Sequence, residues 1–365
     1  MSFVSKRAPR TRLPLLGISL LVMALIAGCT SLGYYSHSIK GGLGILSRRR
    51  SIESLLADPT TPPELQERLE LVLDIRQFAD QRLALPLGGS YRSYVDLERP
   101  YAVWTVVAAE ELSVEPVEWC FLIAGCVSYR GYFSREKAER FAGKLRQKGL
   151  ETDVGGVAAF STLGWFSDPV LSSFVDYPEP ELAGLVFHEL AHQQLYVKDD
   201  TTFNESFATV VELEGVGRWL LEDGREEALA AYRTAKQRQM EIADLVRSYR
   251  EKLAAAYSQE ESEAWKRARK EELFDDLRQA YRGLETSWGG QSRYRAWFGD
   301  GLNNARLASL GAYYDLVPAF ETLLDQAGGD LSVFYEEAAA LGKLAKKDRR
   351  EQLRELHEAR QNSAS

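Results

Sequence analysis

Histidine, cysteine and surplus positive charge are all scarce in this chain. Its 365 residues include three cysteines and four histidines, and the formal net charge is −8. With so few cysteines and no pair of CxxC patterns, a cysteine-ligated zinc framework is excluded. The acid excess removes nucleic acid from the partner classes, because neutralising phosphates takes clustered Lys and Arg. Long apolar runs are missing too, apart from 13–26, whose fourteen residues fall short of the ~20 that a spanning helix needs. Core-forming material is plentiful: 45% hydrophobic residues with seven Trp rule out global disorder. The length suits one large domain or two small ones.

The early apolar run follows Lys6, Arg7, Arg10 and Arg12 and leads into Ile26-Ala27-Gly28-Cys29. That order of basic, apolar and small residues is an export signal, and its end resembles the lipobox of bacterial lipoproteins. Residues 1–28 are read as the signal peptide and Cys29 as the lipidated mature N-terminus. Loss of the four basic residues takes the net charge from −8 to −12. Thr30 in place of Asp fits outer-membrane sorting, so the expected location is the cell envelope, lipid-anchored and facing the periplasm. An uncleaved anchor or a soluble export signal are the other readings, and both lead to the same compartment. In that oxidising space Cys120 and Cys126 are expected to form a disulfide, on a strand bent at Gly125.

The chemistry is concentrated in GLVFHELAHQQLYVKDDTTFNESFATVVE, beginning at Gly184. His188 and His192 are four apart, so on a helix they stack on one face one turn apart. A divalent metal about 2.0–2.1 Å from each imidazole suits that spacing. Glu189 points about 100° round the same helix, beside the metal, where a general base for a bound water belongs. A third ligand is needed, and the remaining histidines, His37 near the anchor and His357 in a charged tail, are poorly placed. On a second helix Glu205, Thr209 and Glu212 share a face. Glu205 is read as the third ligand of a single zinc ion, with Asn204 beside it as support. Glu212 is read as the acceptor that fixes the tautomer of a ligand histidine. The plain alternative is a buried helix whose histidines only pack and hydrogen-bond.

HELAHQ followed by NESFATVVE resembles the HExxHQ and NEGFAxxxE pair of aminopeptidase-N-type gluzincin metallopeptidases. The resemblance is closer to the putative aminopeptidase family of Gram-negative bacterial lipoproteins, over most of the mature chain. Thirteen positions separate His192 from Glu205, fewer than in aminopeptidase N, which implies a minimal catalytic core. The resemblance also implies that 302–320 (LNNARLASLGAYYDLVPAF) returns to the site. A phenol there can donate to an oxyanion without adding charge at neutral pH. Tyr313 is the candidate and Tyr314 its competitor, and a core tyrosine is the plain reading of either.

The expected fold class is α+β, mainly α: a gluzincin-like core with a small mixed β-sheet on the HExxH helix, then a helical subdomain with a long α-hairpin. Residues 29–51 are a tether, ending in three arginines. Residues 52–221 form the α/β part carrying the metal site, 222–340 the helical part completing the cleft, and 341–365 a charged tail. A helix is expected after Thr61 as cap with Pro62 at its first position, running on through Leu65, Leu69, Val72, Ile75 and Leu83. Strands are expected at 101–109, 119–127 and 153–165, with a helix at 134–149 between the last two. The segment 158–164 is the candidate edge strand for substrate, with Gly155, Gly156 and Gly164 allowing close approach; an ordinary core strand is the other reading. Two helical patterns at 225–284 turn at 258–262, and their mixed charges read as a solvated face, with a partner-binding arm as the alternative.

Together these readings predict a zinc peptidase of peptide substrates, with Glu189 as base and a Tyr at the oxyanion. For an aminopeptidase, the free α-amine needs a carboxylate, with Asp168 and Asp176 as candidates. An endopeptidase acting in envelope quality control, and a non-catalytic lipoprotein with structural zinc, are the competing functions.

Overall fold

Leu69, Val72, Ile75 and Leu83, apolar at helical spacing, mark the first long helix. In the computed structural model, which describes residues 42, 44–121, 125–159, 167–290, 292–310 and 314–363, this is helix α2. The chain divides into Met1–Ser47 and Arg48–Ser365, and all named elements belong to the second unit. Helix α1 (Ile52–Leu56) is capped by Ser51. Helix α2 (Pro63–Leu83) buries Leu69, Val72, Ile75, Phe78 and Leu83 and stops at Ala84, in the left-handed conformation. Its start differs by one residue from the expectation: Pro62 is the cap and Pro63 opens the helix, while Thr61 is buried outside it.

The β-structure is split into three small sheets. In one, β3 (Val103–Glu110) lies between antiparallel neighbours β6 (Arg130–Tyr132) and β7 (Leu150–Val157). Helix α3 (Arg135–Arg146), capped by Ser134, crosses between β6 and β7 and buries Ala138, Ala142 and Leu145. In the second, β2 (Ser93–Val95) pairs antiparallel with β1 (Arg50–Ser51) and parallel with β8 (Val170–Leu171). The third is a hairpin of β4 (Trp119–Phe121) and β5 (Gly125–Val127).

Two strand expectations are corrected here. In place of one bent strand, Trp119–Phe121 and Gly125–Val127 pair antiparallel, with Cys120 opposite Cys126 and a disulfide joining them. The cross-strand pairing itself brings the two sulfurs together. The strand expected at 153–165 is β7, which starts earlier and ends at Val157. It is held by full register with β3, and Gly149, just before it, turns the chain at φ 82°. Of the proposed edge segment, Ala158 and Ala159 lie outside the strand, and the rest, Gly164 included, lies outside the described residues.

The remainder is helical. Helices α4 (Glu179–Gln194) and α5 (Thr201–Glu222) form the most extensive helix pair. Among the helices, the main packing partners of α4 are α5, α2 and α6. Helices α6 (Glu226–Tyr257) and α7 (Glu263–Ser287) make the long antiparallel hairpin, turning at 258–262 with Ser262 as cap. Then come α8 (Asn304–Leu310), α9 (Val317–Gln326), α10 (Leu331–Gly342) and α11 (Lys346–Ser363). An aromatic cluster holds α5 to α9 and α10, with Phe207 stacked on Phe334 at 5.5 Å and Phe203 edge-on to Phe320 at 5.0 Å. Edge-on and offset rings of this kind contribute beyond their buried area. The result is a mainly α, α+β protein. Among the described residues no helix is long and apolar enough to cross a membrane.

Candidate metal centre

Helix α4 carries His188 and His192 one turn apart, their ring centroids 4.9 Å apart and their planes at 86°. The neighbouring residues Val186, Phe187, Leu190 and Ala191 are fully buried and fix the helix's rotation. Helix α5 runs alongside and presents Glu205. Its carboxylate spans both rings, with Oε2 3.2 Å from His188 Nε2 and Oε1 3.7 Å from His192 Nε2. One donor from each of the three residues lies within 4.8 Å of the others. Zinc ligands about 2.1 Å from a tetrahedral ion are roughly 3.4 Å apart, and the separations of 3.2 and 3.7 Å bracket that value. Two neutral nitrogens and a carboxylate are also the donor types that zinc takes. The residues present therefore fit the ion.

Behind His188, Glu212 accepts at 3.1 Å from the Nδ1 side of the ring. That bond leaves Nε2 as the nitrogen facing Glu205 and His192. Glu212 is itself buried and held by two residues of α6: Tyr232 donates to Oε1 at 2.7 Å, and Lys236 forms an ion pair with the same oxygen. Burial works against its charge, but Lys236 and His188 hold its carboxyl far below the usual range. Burial likewise disfavours a charged His188, yet hydrogen bonds to Glu205 and Glu212 raise it to about 10. His192 is pushed down to about 4 by burial and by the charge of His188. Among the described residues its Nδ1 is buried without a hydrogen-bond partner.

This packing requires Gly184. A Cβ there would lie 2.7 Å from the Tyr232 hydroxyl and 3.1 Å from Glu212 Oε1, closer than side-chain carbons approach. Asn204 does not touch the triad. It clasps the connection between the two ligand helices, accepting from Val197 N at 2.7 Å and donating to Val197 O at 2.8 Å.

Glu189 is half-buried and stands outside the triad. Its position is marked by Tyr91, a buried phenol pushed well up by burial and by the charges of Glu189 and Asp168. Tyr91 sits at φ 58°, and its N–H donates to Asp168 O at 2.7 Å. The hydroxyl of Ser90 accepts from Asp168 N at 3.1 Å and from Gln193 Nε2 at 3.2 Å. The loop at 88–91 thus ties Asp168 to the helix bearing the histidines. The other amine-binding candidate, Asp176, is exposed and acts on Tyr94.

Tyr313 lies outside the described residues. Tyr314 accepts a hydrogen bond from Gln239 of α6, and its phenol is pushed up by burial and by Glu212 and Glu205. The turn after it is pinned to the ligand helix, with Leu316 N donating to Ser206 Oγ at 3.2 Å. Sequence reasoning missed Tyr232 and Lys236, which form part of an ordinary helical pattern, and the Ser90–Tyr91 loop. Only the four-residue spacing of Tyr232 and Lys236 hinted at a shared face.

The profile of a family described as "Putative aminopeptidase" matches residues 33–353. The chain belongs to this family. No curated protein and no solved structure matches it. The family span takes in both ligand helices, the hairpin, the Tyr314 turn and most of the buried part of α11, ending at Leu353. Membership points to peptidase activity, with a peptide as the substrate class.

Proposed function

We propose that the protein is a zinc-dependent metallopeptidase of the gluzincin type, acting as an aminopeptidase. One observation carries the proposal: a single carboxylate, Glu205, spans the Nε2 atoms of His188 and His192 at 3.2 and 3.7 Å. Zinc held by these three would supply Lewis acidity, lowering the pKa of a water toward about 7 and polarising a peptide carbonyl. Glu189, beside the triad and not one of its three donors, takes the proton of the attacking water and passes it to the leaving amine. Glu212 keeps His188 in one tautomer, and Tyr232 and Lys236 keep Glu212 in place and ionised. Tyr314 donates to the carbonyl oxygen as negative charge develops there; its raised pKa keeps the proton on it. Asp168, buried next to Tyr91 on the Glu189 side, is the carboxylate for the substrate α-amine.

The location we propose is the periplasmic face of the outer membrane, through a lipid on Cys29. That residue and the signal at 1–28 lie outside the described residues. The support is the lipobox-like Ile26-Ala27-Gly28-Cys29 and the exposed Cys120–Cys126 disulfide, a bond that persists in oxidising compartments.

The test combines metal content and turnover. Glu189→Gln should retain one zinc per chain and lose hydrolysis, whereas Glu205→Ala should lose zinc. Peptides with free N-termini should be cleaved and N-blocked ones spared. Wild-type turnover by Glu189→Gln would remove Glu189 as base, and cleavage of blocked peptides would favour the endopeptidase reading.

A further inference from the structure

One face of α6 runs along the site. Tyr232 and Lys236 hold Glu212, and Gln239, three residues on, hands the row outward. The Gln239 amide donates through Nε2 to the Tyr314 hydroxyl, and its Oε1 faces Arg293 Nη2 at 3.5 Å. A single amide group therefore separates the Arg293 guanidinium from the phenol assigned to the oxyanion. Arg293 is exposed, lies over the Tyr294 ring at 5.2 Å and donates to its hydroxyl at 3.2 Å.

Its neighbours are otherwise engaged. Arg295 pairs with Glu285 at 2.9 Å, and Arg238 lies over Trp288 and donates to its carbonyl. Among the described residues the hydrogen-bond partners of Arg293 are neutral oxygens, and no carboxylate lies within ion-pair distance of it. An exposed guanidinium without a counter-charge, held at the rim of a site by stacking on a ring, is a ready acceptor for a carboxylate.

Asp168 and Glu189 both act on Tyr91, whereas on Tyr314 the positive charge of Arg293 opposes Glu212 and Glu205. Arg293 thus supplies positive charge one amide away from Tyr314, and a short peptide carries a carboxylate at the end opposite its amine. Arg293 also acts on Tyr177, which in turn senses Tyr101.

We infer that Arg293 binds a carboxylate of the substrate on the leaving side of the scissile bond and so makes the site selective for acid-bearing short peptides. The inference rests on the peptidase reading. It makes Arg293 a substrate-positioning residue, and the carboxylate is either the C-terminus or an acidic side chain.

Calorimetric binding to the full chain carrying Glu189→Gln tests it, using Ala-Ala-Ala, its C-terminal amide, and the amide of Ala-Ala-Glu. The free acid should bind at least tenfold more tightly than its amide, and Arg293→Gln in the same background should bring that ratio below two. Recovery of affinity by the Ala-Ala-Glu amide assigns the carboxylate to a side chain, and its failure assigns it to the C-terminus. Equal binding of acid and amide, no binding of the acid, or a ratio unmoved by Arg293→Gln overturns the inference, the last by leaving the carboxylate to another group. Turnover by the wild-type chain separates the two readings: acid-selective binding without hydrolysis removes the peptidase, and hydrolysis without acid selectivity removes the role of Arg293.

Discussion

Replacing Arg349 with Met should destabilise the protein by about 3 kcal/mol and loosen the metal centre, although Arg349 is far along the chain from either histidine. Its partner Asp200 is 0% exposed and Arg349 4%, with Nε 3.1 Å from Oδ2, off-axis for a hydrogen bond but in direct ion contact. Asp200 is also the cap of α5, accepting from Phe203 N at 3.3 Å. Arg349 adds a bond to Gly342 O at 3.0 Å and lies 5.1 Å over the Phe203 ring. Breaking a buried pair by removing one partner costs ~3–5 kcal/mol. Arg350, partly exposed, stays on Asp200 and supports the lower end of that range. Glu205 sits one turn beyond this cap, so a disturbed α5 start weakens the grip on zinc as well. Urea unfolding of the full chain reads the first effect, and zinc retention against a chelator the second. Asp200→Asn keeps a capping side chain but strands a buried guanidinium, so it should cost at least as much; the double variant should show a coupling of roughly 1–3 kcal/mol. If Arg349→Met lies within about 0.5 kcal/mol of wild type, α11 does not hold α5 and the reasoning fails.

Gly184→Ala should cost about 1–3 kcal/mol, the usual price of overpacking, because its methyl meets the Tyr232 hydroxyl and Glu212 at once. Zinc affinity should fall with it, and unchanged unfolding and metal titrations would contradict the geometry. Asp58 is held down to about 2 by side-chain and backbone hydrogen bonds to Thr60 and by Arg50. Its folded pKa is depressed, so its contribution is present above the ordinary value of 3.8 and lost as pH falls toward 2. Asp58→Asn should flatten the fall in melting temperature across that window, and an identical profile would refute the assignment. Cys29→Ala should abolish incorporation of radiolabelled fatty acid in cells; label retained on the variant would place the lipid elsewhere or nowhere.

The convergence of His188, His192 and Glu205 was legible because helical geometry is local: a four-residue step and a second amphipathic helix suffice to bring three donors together. Glu212 was legible for the same reason, through its seven-residue offset from Glu205. What holds Glu212 was not. Tyr232 and Lys236 reach it only because α6 folds back across α5, and nothing within the pattern of α6 distinguishes them from residues that merely pack. The Ser90–Tyr91 loop is a similar case, since its bonds to Asp168 and Gln193 cross more than seventy residues of chain. The hairpin at 119–127 was misread because both arms are β-branched or aromatic and its turn has no Asn-Gly signal. The last helix reads as a charged tail because its apolar positions are few, with Leu353 the clearest; its buried face depends on Arg349, a residue that patterning assigns to water.

The anchoring of Glu212 by α6 bears on how this protein can be cut. A fragment ending near residue 222 would contain every ligand, the base and Glu212, yet it would leave that carboxylate without the groups that hold it and His188 with a partner no longer fixed. A fragment beginning there would carry the anchors with nothing to anchor. Attempts to trim the molecule to a smaller catalyst, or to graft its ligand helices onto another scaffold, must therefore carry the stretch through Gln239, and insertions that relax the joint between α5 and α6 would be felt at the centre before they were felt in the fold.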